Sequence, residues 1–556
     1  MKKILFTTLI VLIVFLLLPV WAGAADYYVT ETGDGAPMSM AEFNALTGTG
    51  YAGDTFYFSG TITTRLELGI SGTSGGGNVT LDGYQAGTYN ATNGLRTNLS
   101  SLAEIKRPSS SIELYSVGYI TIQDFYFNGN NGSGSSAIEM VNANHITIRR
   151  SYFFEYEQNA IFSSNVSSTS SYITIGGASG DGIEVYCVGN FTGAYDIKLG
   201  NAHDVIISYN KLWGSSESEF GTKGISWGNG RENNYNYLIE HNYVANHLGD
   251  RPESGIGGKG GTNFIIRYNY ISGHYGNEYH GNEYGIGPGY DAQYFYVYGN
   301  YITNNSIGIY ITNGTDWGDN GIDQEYIYIW SNIIEKIHPM DDVAWAGILV
   351  GDTSGDITDH VYIRNNTIYA NPAPGLPDYG YPTSGIRTRS NADNIYINNN
   401  IFSENRPDES DYIQAYIYDS SDVEQYKDNL HYHSGGAAKV VWGGSGSTAP
   451  GDIDATNDVG NPNFVNPTGG NFTLAGDSPA IDGGADLSGL VGSVTVQGTT
   501  YNMYWDDCLD PVNTNWSTIP PTVVSVKQDD YGTGWEQGAY VYTSGDAAAQ
   551  RVIIIN

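Results

Sequence analysis

The feature that most constrains this chain is an asparagine that returns at a near-constant interval inside a strand-like octet. It occurs in "VIISYNKL", "YLIEHNYV", "FIIRYNYI", "FYVYGNYI", "IYIWSNII", "VYIRNNTI" and "IYINNNIF", at Asn210, Asn242, Asn269, Asn300, Asn332, Asn366 and Asn400, 27 to 34 residues apart. Each copy is apolar five and three places before the Asn and two places after it. The residues between vary freely: Ser208, Glu240, Arg267, Tyr298, Trp330, Arg364, Asn398. That is period two with one buried face, a strand. The break in phase at the Asn predicts a bend where stacked amides bond from coil to coil. A second short strand lies between copies, as "GISWG", "GIGGK", "GIGPG", "GIYIT", "GILVG" and "GIRTR". Two or three strands per turn at a period near thirty predict an all-β fold, a right-handed parallel β-helix built as a single-stranded solenoid. Propeller blades need longer repeats and leucine-rich solenoids a different consensus.

The parts outside the repeat are read from composition. Lys2 and Lys3 precede an apolar run from Ile4 to Leu18, and Ala22-Gly23-Ala24 suits a signal-peptidase site, so 1–24 is expected to be a secretory leader and the mature protein extracellular or periplasmic. Nothing later is as apolar, which predicts no membrane insertion after cleavage. Residues 26–118 are expected to form an N-terminal cap and first coils, with a short capping helix near Met38 to Leu46. Residues 119–440 hold the repeats, and 441–556 form C-terminal coils or a β appendage. The net charge of −35 argues against nucleic acid and anionic membranes as partners, both of which need basic patches. Two cysteines, Cys187 and Cys508, define no disulfide framework.

On the second strand the Ile after each Gly points inward, so residues one and three places later point out. The outward columns then read Ser226, Gly257, Gly287, Tyr310, Leu349, Arg387 and Gly228, Lys259, Gly289, Thr312, Gly351, Arg389. Lys259 stands on a floor of glycines, the expected base of a shallow groove. The preceding loops supply its walls. Six of the 24 basic residues fall between Lys211 and Arg267, an unusual basicity in so acidic a chain. This predicts docking of an acidic polysaccharide on Lys223, Arg267, His247, Tyr284 and Tyr310 by a monomer. β-Elimination at a uronate needs a base for the C5 proton, a cation on the carboxylate and an acid for the leaving oxygen. Lys259 fits the base, Arg251 or Ca2+ the cation, and His280 or Tyr279 the acid. Glu217, Glu219, Asp250 and Glu253 are the expected calcium ligands.

Several stretches carry a resemblance. "YYVTETGDG", "GDTFYFSG", "LDGY", the Asn-bearing coils and "NPNFVNPTGGNFTLAGDSPAIDGG" together resemble secreted bacterial pectate-lyase-like β-helix proteins over nearly the whole mature chain. "KGGTNFIIRYNYI" is similar to the Lys-Ser-x-x-Asn stretch of β-helical alginate and chondroitin lyases. The resemblance implies that Lys259 is the base, with an acid arginine one coil later. At that place this chain has "YHGN", so Tyr279 stands where the arginine would be. Two other readings remain: a β-helix glycoside hydrolase using Asp250, Glu253, Glu278 or Glu283, and a glycan-binding or structural cell-surface β-helix that stacks sugars on exposed Tyr298, Tyr310, Trp330, Tyr362 and Tyr396.

Overall fold

A computed structural model describes residues 24–543, apart from 34–37, 84–101, 108–109, 130–135, 157, 164–168, 188–193, 215–221, 229–232, 246–253, 276–283, 314–322, 339–345, 353–355, 371–383, 406–411 and 445. Each turn of chain lays one strand into each of three sheets. In the coil at the centre these are Thr262–Arg267, Tyr270–His274 and Tyr284–Gly289, after which Gln293–Tyr298 begins the next turn. The first sheet has 15 strands and the second and third have 14 each. The pairings between successive coils are parallel, and in the central coils they are in register, as in Phe264 with Phe295 and Ile266 with Val297; single register shifts occur at Ile395/Tyr396 and Ile413/Ala415 near the C-terminal end. The protein is a parallel β-helix.

The positions expected to face inward do so. Phe264, Ile266 and Ile271, five and three before and two after Asn269, are fully buried, as are Phe295, Val297 and Ile302 around Asn300. Inward rings stack at the coil spacing, Tyr237 on Phe264 at 4.3 Å and Phe264 on Phe295 at 4.5 Å. The asparagines form one continuous ladder. Each Nδ2 donates to the next Oδ1 at 2.9–3.0 Å from Asn210 to Asn400. The ladder continues beyond Asn400, the last copy read from the sequence. It runs on through Asn429 and Asn457. From Asn210 to Asn429 the residue before each Asn takes the left-handed conformation that turns the corner, for example Tyr268 (φ 58°) and Ser331 (φ 53°).

The N-terminal end is closed by a helix, Met40–Asn44. Ser39 and Glu42 form a reciprocal cap, and Phe43 meets Phe56 and Phe58 edge-on at 5.1 and 5.2 Å. Among the described residues no helix is long and apolar enough to cross a membrane.

The C-terminal segment leaves the last coil and runs back over the first sheet. Its hairpin, Leu490–Val496 with Thr499–Tyr504, reaches far up the stack: Gln497 donates to the carbonyls of Ile173 and Asp204 at 3.0 and 2.9 Å. Ser331 donates to the Asp507 carbonyl at 2.9 Å, and Trp505 packs on Trp330 and under the Arg364 guanidinium. Tyr298 and Trp330, expected as an exposed sugar platform, are therefore buried, at 1 % and 0 % exposure. Cys508, a free thiol, is buried in the same cover. Hiding Tyr298, Trp330, Tyr296, Leu238 and Ile265 is worth on the order of 10 kcal/mol in transfer free energy. Deleting residues 485–543 is thus expected to leave a β-rich protein that binds an apolar dye strongly and self-associates, as dye fluorescence and light scattering will show. A monomer without dye binding would mean that the segment is no cover.

Candidate functional site

The outward face of the third sheet carries the site. The columns expected from sequence exist as register partners: Lys198, Ser226, Gly257 and Gly287 follow one another, and Tyr310, Leu349 and Arg387 continue the line. Lys259 pairs with Gly289, and Gly289 bridges to Thr312. In earlier coils the same column holds Glu67, Glu113, Glu139 and then Phe162. The face therefore changes sign along the axis. Three stacked glutamates, two of them tied to Arg65, give way to lysines beyond Phe162.

The glycines do not make a bare floor. The ring of Tyr284 folds across Gly257 and Gly287; a Cβ on Gly257 would lie 2.6 Å from Tyr284 Cε2, and one on Gly287 would strike the same ring. Gly258 faces the other way and seats the Trp227 ring, whose Nε1 donates to the Gly260 carbonyl at 2.7 Å. Gly261 takes φ +115°, which few side chains tolerate. The expected groove is thus paved with tyrosine, and Tyr284 is buried.

Three amines gather on three adjacent strands, which spans about 10 Å. Lys198 Nζ lies 4.3 Å from the centroid of the Tyr195 ring and Lys223 Nζ 5.4 Å from the same ring. Lys259 Nζ lies 4.8 Å from the Tyr290 ring. Burial pushes the Lys198 amine down. Lys223 is pushed down to about 7, first by burial and then by the positive charges of Lys198 and Lys259. Burial holds the Tyr284 phenol up, so it stays protonated. Further along, Thr312 Oγ1 and the Tyr310 hydroxyl donate to Asp352 Oδ2 at 2.9 and 3.4 Å, and Arg389 meets Asp352 Oδ1 at 3.4 Å. Arg387 stacks on Tyr416 at 4.5 Å, its pKa lowered to about 10 by burial. Five basic side chains thus share one face over six strand steps, about 29 Å, in a chain of net charge −35.

Of the residues expected to act here, Lys259, Lys223, Tyr284 and Tyr310 come together on this face. Arg267 does not. It sits on the first sheet, paired with Glu240 at 2.7 Å, bonded to the Tyr298 hydroxyl at 2.8 Å and covered by Tyr501 of the C-terminal segment. An outward position on the first sheet faces that cover, so Arg267 is a structural cation. Arg251, His280, Tyr279, His247, Glu217, Glu219, Asp250 and Glu253 lie outside the described residues. Among the described residues no three His, Cys, Asp or Glu side chains converge on a metal position. Lys198 escaped the sequence pattern because its strand reads "DIKL" where its neighbours read Gly-Ile; the isoleucine at position 197, in register with Ile225, was the available signal.

No family model matches this sequence, and no curated protein does. Among solved structures, the chain is similar to a mannuronic acid specific polysaccharide family 6 lyase from human gut microbiota (14% identity, 72% of this chain and 91% of that one, TM-score 0.38). It is similar to a variant of the PL6 family alginate lyase AlyGC (12%, 81% and 55%, TM-score 0.41). It is also similar to a GH136 lacto-N-biosidase from Eubacterium ramulus (11%, 67% and 68%, TM-score 0.36).

Proposed function

We propose that this protein is a polysaccharide lyase that cleaves a uronate-containing glycan by β-elimination on the outward face of the third sheet. The observation that carries this reading is the cluster of Lys198, Lys223 and Lys259 on three adjacent strands, in which burial first, and then the charges of the outer two, lower the pKa of the middle amine to about 7. A neutral amine flanked by two ammonium groups matches what the elimination needs. The ammonium groups of Lys198 and Lys259 neutralise the uronate carboxylate and so acidify C5–H. Lys223 Nζ takes that proton, the C5 electron pair forms the C4–C5 double bond, and the C4–O bond breaks. Tyr290, against Lys259, offers a hydroxyl for the departing oxygen. The base role moves from Lys259 to Lys223 in this assignment, because Lys223 is the amine that loses its charge. Calcium, when bound by Glu217, Glu219, Asp250 and Glu253, would add positive charge against the same carboxylate. The glutamate column before Phe162 repels a polyanion and sets one end of the binding face. The enzyme acts as a monomer outside the cell, delivered by its leader.

The test supplies purified protein with alginate, polygalacturonate or chondroitin, with and without calcium, and records the absorbance of unsaturated uronate. A signal from one substrate that falls at least about 100-fold in Lys259→Ala is expected. New reducing ends without unsaturation would replace elimination by hydrolysis. Saturable binding without any product would make the face a glycan-binding surface.

A further inference from the structure

A second site lies on a different face. The outward side of the second sheet and the C-terminal segment border an open cavity of about 560 Å3, within the size range of small-ligand pockets. Tyr369 and Tyr432 stand on the sheet, in register on either side of Ser403. Phe464, Asn461 and Asp477 come from the C-terminal segment, and Glu404 closes the rim. The Tyr369 ring is held at 5.3 Å from Phe472 and nearly perpendicular to Phe464 at 6.2 Å, so ring surface remains turned toward the cavity.

Two of the polar groups, Glu404 and Asn461, are held by hydrogen bonds. Ser434 donates to Glu404 through its N–H at 3.0 Å and its hydroxyl at 2.9 Å. Asn461 Oδ1 accepts from the Asn463 N–H at 2.9 Å, which leaves the Asn461 NH2 to donate outward. Burial, then Glu404 and Glu335, raises the Tyr369 pKa, so its hydroxyl stays protonated. No lysine or arginine lines the cavity among the described residues. Its chemistry is therefore the reverse of the lysine face: aromatic, acidic at two points, and furnished with both donors and acceptors. A uronate would meet Glu404 and Asp477 as like charges. A calcium ion needs six or more oxygens converging, and half of Glu404's capacity is spent on Ser434.

We propose that this cavity binds a neutral saccharide, its C–H faces against Tyr369 and Phe464 and its hydroxyls on Asp477, Asn461 and Tyr432. Such a site would tether the protein to neutral glycan while the lysine face works on an acidic one, and it stands whether or not the lysine face is catalytic.

The experiment titrates the full-length protein by calorimetry with cellotetraose, xylotetraose, mannotetraose and galactotetraose, and with tetragalacturonate, chitosan tetramer and calcium chloride as contrasts. Saturable binding of a neutral tetrasaccharide is expected, weakened about tenfold in Asp477→Asn and in Tyr432→Phe, the worth of a hydrogen bond to a charged or buried group. Lys223→Ala should leave it unchanged. Both substitutions keep side-chain volume, and coincident thermal unfolding with wild type confirms an intact fold. The proposal is overturned by the absence of neutral-sugar binding, by binding that both cavity variants retain, or by binding confined to chitosan or calcium.

Discussion

Lys223→Met is expected to abolish turnover and at the same time to make the protein more stable. Both effects follow from the amine's position between Lys198 and Lys259, beside Tyr195. A group whose folded pKa is about 7, against roughly 10.4 when unfolded, is neutral in the folded chain above pH 7 and charged in the unfolded chain up to pH 10. The unfolded state then binds more protons, so stability rises with pH across that window. Below pH 7 the folded protein must carry the buried charge, a penalty on the order of a few kcal/mol at this partly buried site. Methionine removes the penalty, so the gain in melting temperature is greatest at pH 6 and vanishes toward pH 10. Activity moves the other way, falling by about 10²- to 10⁴-fold with the loss of the base. In wild type the rate climbs as pH rises through about 7. Lys198→Gln removes one neighbouring charge, so the Lys223 pKa rises and this acid limb moves to higher pH. Rate–pH profiles and melting curves of the three proteins check all of this. A Lys223→Met protein that is both inactive and destabilised would make Lys223 a structural residue, and an unmoved limb in Lys198→Gln would deny the charge coupling.

The parts of this site that sequence could disclose are those that repeat. A parallel in-register solenoid converts spacing directly into position, so Phe264 and Ile266 could be placed inside, and Lys259 beside Gly289, from the strings alone. What does not repeat was not legible. Tyr284 bends its ring over Gly257 and Gly287, and a glycine that seats a ring reads the same as one beneath open solvent. Arg267 and Trp330 hold outward positions like any other, yet the first sheet is covered by a segment with no period of its own. Asn429 and Asn457 were missed for a related reason. The strand before Asn429 ends in "QYK", and Asn457 follows a short helix, Pro450–Ile453, rather than a strand; neither carries the isoleucine pattern that marks the earlier copies, although the ladder continues through them. Cations on the third sheet were underestimated likewise: Lys198 lacks the Gly-Ile mark, and only the coil stack shows that it adjoins Lys223.

Asn300→Ala should be the costliest single change in the scaffold. Asn300 Nδ2 donates to the carbonyls of Ile266 and Tyr298 at 2.9 and 3.1 Å and to Asn332 Oδ1 at 3.0 Å. Its Oδ1 accepts from the Asn269 backbone N–H and from Asn269 Nδ2, both at 3.0 Å. Alanine strips all five bonds, and the Asn269 N–H and the Ile266 carbonyl lose side-chain partners where water cannot replace them. At about 1–3 kcal/mol for each orphaned buried group, the loss is about 3–5 kcal/mol. The bend depends on the same bonds, because left-handed corners such as Tyr268 cost roughly 1–2 kcal/mol each and the ladder offsets them. Position decides how the loss spreads. Asn300 has intact coils on both sides, so its loss splits the stack and lowers the denaturation midpoint of the whole molecule. Asn457 ends the ladder and also bonds Pro450 and Asp454, so Asn457→Ala loosens only the final coil. Asn300→Asp separates shape from chemistry. It keeps the acceptor for Asn269 but faces a carboxylate toward the carbonyls of Ile266 and Tyr298. Its folded pKa must then exceed the unfolded value, and the variant loses stability as pH rises above about 4, whereas below that its protonated carboxyl keeps the acceptor and one donor and places it between Asn300→Ala and wild type. Denaturant unfolding followed by circular dichroism, with hydrogen exchange on Gln293–Tyr298, measures both the size and the reach of the damage. A cost under about 1 kcal/mol for Asn300→Ala, or equal midpoints for Asn300→Ala and Asn457→Ala, would mean that inward packing alone holds the coils and that the asparagines only decorate the corner.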